Sequence, residues 1–518
     1  MPEGIVTLAQ ALRHHAEVRP NAPAWWFEGR ETSYGAFDEQ ANRCAQALLA
    51  AGVRPGERVA LLSKNNDRFW VLLFGAIKIR ACLTPINWRL APPEVAAIFN
   101  DSGARLLFVS DEYAAVVPSL VGRCPNLADW IQLEAGPAER QGLDAWLARA
   151  EPTDPGPVSN PEDDIIQLYT SGTTGLPKGV RLTHSNFLAH IEGATKSWAP
   201  WRSGKTALIT SPQFHVAGVN MGLLSLFQGC RAVIVREIRA AELVGLIERE
   251  RIAYAFLVPA MIATILDSAE GKAADFSALE RIAYGASPIA EDLLTRAIAR
   301  FGCAFSHLYG MTETAGVGAA LAPEDHEPKR LRSCGKPYPT AEIRVARPDG
   351  TPCVPCDVGE IQLRSRAVMR GYWNRPEDTA AAMTEDGWYR SGDAGYLDAE
   401  GFLYIHDRIK DMIVSGGENI YPAEVENAIS GHPNVAEVAV IGVPDAKWGE
   451  AVKAVVVLRP GAAPDPASIV SWARQRIAGY KIPKSIDFIA ALPRNPAGKV
   501  LRRELREAYW QGHARRVN

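Results

Sequence analysis

Residues 170–179 read "TSGTTGLPKG", and their types suit the holding of phosphate. Glycines let backbone N–H groups come close to phosphate oxygens, and hydroxyls add further donors. The candidates are Thr170, Ser171, Gly172, Thr173, Thr174, Gly175 and Lys178. The spacing is Gly172-x-x-Gly175-x-x-Lys178, and Gly179 follows the lysine. A Walker A loop has four residues between its glycines and a Ser or Thr directly after its lysine. That type of nucleotide site is excluded; a phosphate cradle of another kind is not. Further stretches set polar and ionisable residues beside glycines: "YGMTE" (Tyr309–Glu313), "SGD" (Ser391–Asp393) and "DRIKDMIVSGGEN" (Asp407–Asn419). Near the end, "PRNPAGK" (493–499) sets Lys499 behind small residues, where a cation could enter a narrow site.

Taken in this order, the motifs resemble those of the adenylate-forming superfamily: fatty-acid and aryl-acid CoA ligases, carrier-loading adenylation domains and beetle luciferases. The likeness runs from "TSYGAFDEQANRCAQAL" to the final helix. It implies a carboxylic acid–CoA ligase that uses ATP with Mg2+, releases pyrophosphate, forms an acyl-adenylate and transfers the acyl group to CoA. It assigns the loop and Lys178 to the β- and γ-phosphates, and Lys499 to the charge that develops at the α-phosphorus. Thr312 is expected to bond the α-phosphate and Glu313 to reach Mg2+. Tyr309 is expected to stack on adenine, with Gly285, Ala286 and Ser287 as the other wall. Asp393 and Arg408 fall to the ribose, and Lys410 to a hinge. Gly416 and Gly417 would let the pantetheine arm of CoA approach.

The same likeness places His215, Val216, Val219 and Gly310 around the substrate acid. For His215 two roles stay open, packing of its loop or contact with the acid's carboxylate. The pocket stretches "FHVAGVNMGLL", "YGASPI" and "GMTETAGVG" hold no Lys or Arg. A second carboxylate would lie there unpaired, at high cost. Gly310 stands where acetate-activating relatives carry Trp, which implies a deep pocket. Val219 stands where long-chain relatives often carry a gating Trp, which argues against that gate. A medium- or long-chain fatty acid or an aryl acid is expected. The alternatives are an adenylation enzyme loading a carrier protein in trans, and a silent nucleotide-binding homologue; Lys499, Asp393, Arg408 and Glu313 weigh against the second.

These residues need a scaffold. Helical spacing in "YGAFDEQANRCAQALLAAG" and "DRFWVLLFGAIKIRA" alternates with short apolar runs such as "RVALLS" and "RLLFVS". Such alternation predicts helix-covered parallel sheets. From about residue 340, short strands and turns predict a β-subdomain. After "DRIKDMIVSGG" a compact α+β unit is predicted. The fold class is therefore α/β: a large N-terminal domain (1–407) of helix-covered mixed or parallel sheets with a β-subdomain, and a small mobile α+β C-terminal domain (408–518), hinged near Lys410.

With 518 residues and 47% hydrophobic content, more than one domain is the default. A net charge of −3 points to no nucleic-acid partner. Eight scattered cysteines and a start without signal-peptide character fit a reducing cytoplasm. Cys353-x-x-Cys356 has no second pair at zinc spacing and reads as a turn. No transmembrane segment is expected, since Lys78 and Arg80 break the most apolar run. Homodimer formation is left open.

Overall fold

The computed structural model describes residues 4–134, 142–156, 160–170, 177–287, 289–408, 411–415, 418–445, 447–494 and 500–511. Its largest sheet has nine strands. Six of them run parallel through its middle, in the order Ala304–Gly310, Arg281–Gly285, Ile252–Leu257, Thr206–Ile209, Arg231–Ile234 and Pro23–Phe27. Antiparallel strands close both edges. A seven-stranded sheet is parallel over Arg58–Leu62, Cys82–Ile86, Leu106–Val109, Asp129–Gln132 and Asp164–Thr170. Its far side is an antiparallel hairpin of Asp164–Thr170 with Lys178–Thr183. Near-continuous burial along these strands, as in Arg58–Leu62 and Ile252–Leu257, is what helix cover on both faces demands.

The helices form where the apolar spacing puts them. Ser33 caps Tyr34–Ala50 by accepting from the Ala36 N–H, and the helix ends short of Gly52. Arg68–Lys78 is buried almost all round. Its Trp70 stacks on Trp25 with ring centroids 5.0 Å apart. Lys78, the charge that breaks this apolar run, is fully buried yet paired with Asp38 at 2.7 Å and Asp154 at 2.8 Å. A buried ammonium persists only with such partners.

The two sheets are joined at the C-terminal ends of their parallel strands. Asn65, just past Arg58–Leu62, donates to the carbonyls of Ser211 (3.0 Å) and Val235 (3.1 Å) and accepts from Gln213 N–H (2.9 Å). Gln213 in turn accepts from Asn66 N–H at 2.9 Å. The β-subdomain is a four-stranded antiparallel sheet of Ala341–Ala346, Gly359–Ser365, Tyr389–Leu397 and Leu403–Arg408. Cys353 and Cys356 lie in the turn between its first two strands, and every described cysteine is a free thiol.

Past Arg408 the chain enters a separate five-stranded sheet at Ile413–Ser415. That sheet carries the helices Pro422–Ser430, Pro466–Arg474 and Arg502–Trp510 and has its own apolar core around Val440, Val452 and Ile469. The helical pattern in "PASIVSWARQRIAG" stops earlier than its spacing suggests. Arg476 and Ile477 both donate to the Ala473 carbonyl, tightening the last turn, and Ile477 packs inward. Among the described residues no helix is long and apolar enough to cross a membrane.

Candidate active site

Parallel strands present their C-terminal ends, and the loops that follow, on one edge of a sheet, where ligands of such folds bind. The nine-stranded sheet brings three candidate segments to that edge. Gly285 ends the strand Arg281–Gly285, and Ala286 and Ser287 follow it. Tyr309 and Gly310 end the neighbouring strand and lead into the short turn Thr312–Thr314. His215 follows Thr206–Ile209 and opens the helix Val216–Phe227. Ala286 is exposed and held at φ +66°, a conformation an L-residue adopts at a cost.

The Tyr309 hydroxyl donates to Asp393 Oδ2 at 2.7 Å. Two residues assigned to different parts of a nucleotide are thus in direct contact. Asp393 is buried, and its own N–H donates to Ser391 Oγ at 3.0 Å. The serine of "SGD" therefore shapes the turn that aims the aspartate. Asp393 also stands opposite Arg408 in the strand register; the arginine's side chain lies outside the described residues.

Glu313 Oε1 accepts from the Tyr372 hydroxyl at 3.1 Å. Burial, with Glu313 beside it, pushes the Tyr372 hydroxyl up, so it stays a donor at neutral pH. Lys178 pairs with Asp378 at 2.7 Å and sits 5.2 Å from the centre of the Tyr372 ring. Gly371–Tyr372 pairs with Val180–Arg181, which carries Tyr372 to the lysine. Tyr372 and Asp378 were not among the residues singled out from the sequence. "RGYWNRPEDT" (370–379) does concentrate aromatic and charged residues, and that was the available signal. Thr170 and Lys178 face each other across the hairpin mouth. Among the described residues no group of three His, Cys, Asp or Glu could hold a metal.

His215 has a buried Nε2 without a partner. Burial, helped by the Arg89 charge, pulls its pKa down to about 4, so the imidazole is neutral at pH 7. Val216 is half-buried, while Val219 is fully buried within the main core. Gly310 corrects the expectation built on it. A Cβ there would lie 2.2 Å from the Gly316 carbonyl oxygen, so the backbone already fills that space. Its glycine is needed for the close approach of residues 310 and 316, and an open pocket end at this position does not follow.

Ser171, Gly172, Thr173, Thr174, Gly175, Lys410, Gly416, Gly417 and Lys499 lie outside the described residues. The structure therefore assembles Tyr309, Thr312, Glu313, Asp393, Gly285–Ser287 and His215 around one strand edge, with Lys178 linked through Tyr372.

The AMP-binding enzyme family profile matches residues 12–373, and the AMP-binding enzyme C-terminal domain matches 424–499. The chain is 42% identical to the fatty acid–[acyl-carrier-protein] ligase ScoC of Streptomyces coeruleorubidus, over 99% of this chain and 98% of that protein. It is 39% identical to a feruloyl-CoA synthase of Amycolatopsis sp, over 95% and 97% of the two chains. Its fold superposes on the anthranilate CoA ligase AuaEII in complex with anthranoyl-AMP with a TM-score of 0.90, at 27% identity over 97% of each chain. The chain belongs to the AMP-binding enzyme family.

Proposed function

We propose that the chain is an AMP-forming carboxylic acid–CoA ligase, and the Tyr309–Asp393 contact at the strand edge beside Thr312 and Glu313 is the observation that carries the site assignment. A carboxylate is a poor acyl donor because oxide does not leave. Attack of its oxygen on the α-phosphorus of ATP breaks the bond to the bridging oxygen, and pyrophosphate departs with the electron pair. The sulfur of CoA then attacks the acyl carbon, and AMP leaves. The thiol needs only a modest push, since a pKa of about 8.5 leaves some thiolate near neutrality.

In this reading Asp393 accepts hydrogen bonds from the ribose hydroxyls, which suits an acceptor-only carboxylate. Arg408 assists it, and Tyr309 bears on adenine against Gly285–Ser287. Thr170, Lys178 and the loop 171–175 hold the outer phosphates. Thr312 bonds the α-phosphate. Mg2+ fits here only if it arrives with ATP: Glu313 would supply one carboxylate while phosphate oxygens and water complete an octahedron, as that ion prefers. His215, neutral, turns an unpartnered nitrogen to the acid. Lys499 counters charge at the α-phosphorus. The division at 407/408, the pivot at Lys410 and the approach of Gly416 and Gly417 to CoA complete the proposal, as do a cytoplasmic location and a soluble small-molecule chemistry with the enzyme acting alone or as a homodimer. The substrate is a medium- or long-chain fatty acid or an aryl acid. A second reading, transfer to a carrier protein, is favoured by the 42% identity to ScoC.

Lys499→Ala decides the division of labour. It is expected to lower pyrophosphate release more than a hundredfold, about 3 kcal/mol of transition-state stabilisation. Supplied acyl-AMP and CoA should still give thioester. Equal loss in both half-reactions would remove the two-step assignment, and AMP release that depends on a carrier protein but not on CoA would favour the second reading.

A further inference from the structure

Residues 369–379 link the Thr312–Thr314 turn to the hairpin of Asp164–Thr170 with Lys178–Thr183. The Met369 N–H donates to the Glu313 carbonyl at 2.7 Å. Gly371–Tyr372 pairs with Val180–Arg181, and the Trp373 N–H donates to the Gly179 carbonyl at 2.7 Å. The Trp373 indole N–H donates to the Asp101 carbonyl at 2.8 Å, and the Arg58 guanidinium lies 3.5 Å from the centre of the Trp373 ring. The chain then turns into the short helix Pro376–Ala381. There the Thr379 hydroxyl donates to the Arg375 carbonyl at 2.8 Å and accepts from the Tyr372 N–H at 2.9 Å. The link is fixed along its length, and it sets the carboxylate of Asp378 2.7 Å from the Lys178 ammonium.

Lys178 is the cation that the hairpin offers to the outer phosphates, and it already holds an anion. A polyphosphate arriving beside this pair meets a fixed like charge, which weakens its binding. The lysine is suited to a change of partner, because its ammonium is a compact charge on a flexible four-carbon stem. The carboxylate is suited to being left. The Asp378 side chain is 35% exposed against 16% for Lys178, so water can solvate it once the ammonium moves. No buried, uncompensated charge results, which is the outcome that makes the breaking of an ion pair expensive.

We propose that Asp378 competes with the outer phosphates of ATP for Lys178, so that the lysine changes partner when ATP binds and returns to Asp378 as pyrophosphate leaves. The proposal rests on the assignment of Lys178 to those phosphates and adds a residue that sets how tightly they are held. The β- and γ-phosphates of ATP depart together as pyrophosphate, so the carboxylate weakens the hold on substrate and product alike. AMP lacks both groups and is left untouched. Asp378 is therefore a positioning residue: it acts through Lys178, and its effect falls on ATP affinity and on the departure of pyrophosphate.

The test is calorimetric titration of the full chain with ATP, with pyrophosphate and with AMP, each in the presence of Mg2+ and without any carboxylic acid. Asp378→Asn removes the charge and keeps the shape. It is expected to lower the Kd of ATP and of pyrophosphate by about threefold or more and to leave that of AMP unchanged. Asp378→Glu keeps the charge and should stay near the wild type. Weaker or unchanged binding of ATP and pyrophosphate by Asp378→Asn would show that the carboxylate only steadies the lysine, and would overturn the proposal. Equal tightening of AMP, or a Glu variant as tight as the Asn variant, would overturn it as well, since neither follows from competition for Lys178. The titrations are independent of the ligase reading. A chain that shows the expected pattern but releases no pyrophosphate with any acid would keep the exchange and lose the ligase reading, whereas a wild type that does not bind ATP would overturn both.

Discussion

Tyr309 and Asp393 are 84 residues apart in the chain and 2.7 Å apart in space. Each was legible as a candidate from its own motif, but their contact was not, because nothing local encodes a pairing between a strand of one sheet and a strand of the β-subdomain. Tyr372 and Asp378 show the same limit more strongly. Their partners, Glu313 and Lys178, were readable, whereas they themselves sit in a stretch with no spacing rule of its own. The Tyr309 hydrogen bond reaches a carboxylate, and bonds to charged groups contribute about 1.5–3 kcal/mol. If Asp393 serves the ribose, Asp393→Ala should raise the KM for ATP by about tenfold or more. Tyr309→Phe should raise it less, since the carboxylate remains. The decisive measurement is 2′-deoxy-ATP: the wild type should lose affinity for it, while Asp393→Ala should barely distinguish it from ATP. Equal discrimination by both enzymes would place the diol elsewhere.

At the level of elements, periodicity carried most of the fold. Arg58–Leu62, Arg68–Lys78, Leu106–Val109 and Pro422–Ser430 form where their apolar patterns place them. What periodicity could not supply was the third dimension at turns, and Gly310 is the instructive case. Side-chain size suggested an open pocket, but the residue is small because the backbone of Gly316 presses against it. Gly310→Ala is therefore expected to destabilise by about 1–3 kcal/mol, as overpacking does, and to lower kcat by shifting the Thr312–Glu313 turn. It should not simply shorten the preferred acid. Gly245 provides the contrast. It lies within the helix Ala240–Arg249, and an added Cβ there meets nothing within 4 Å. Gly245→Ala should stabilise by about 0.5–1 kcal/mol through a lower unfolded-state entropy. Thermal unfolding of the two variants checks both signs. A Gly310→Ala protein with unchanged midpoint and a changed chain-length preference would restore the pocket-depth view.

The molecule as a whole stores a sensitivity to acid in its buried histidines. His15, His184, His190, His215 and His307 have pKa values pulled from 6.5 to about 3 or 4, in every case chiefly because burial disfavours the imidazolium. They are spread from the first helix to the strand Ala304–Gly310, so the effect belongs to the fold and not to the site alone. Below about pH 6.5 the unfolded chain takes up these protons, whereas the folded chain refuses them until about pH 4. Stability rises with pH wherever the unfolded state binds more protons, so it must fall as pH drops through this window. Each histidine contributes a slope of about 1.4 kcal/mol per pH unit. Glu134, raised by burial, works in the opposite direction. The expected result is a steep loss of the urea midpoint between pH 6.5 and 4.5, ahead of the titration of most carboxylates. His15→Gln tests the cause, because it can keep a hydrogen bond to the Phe227 carbonyl, which His15 Nε2 approaches at 3.4 Å, and cannot be protonated. Whatever its stability at pH 7.5, its slope between pH 6 and 5 should be shallower by about one proton. An unchanged slope would show that this histidine is protonated in the folded state.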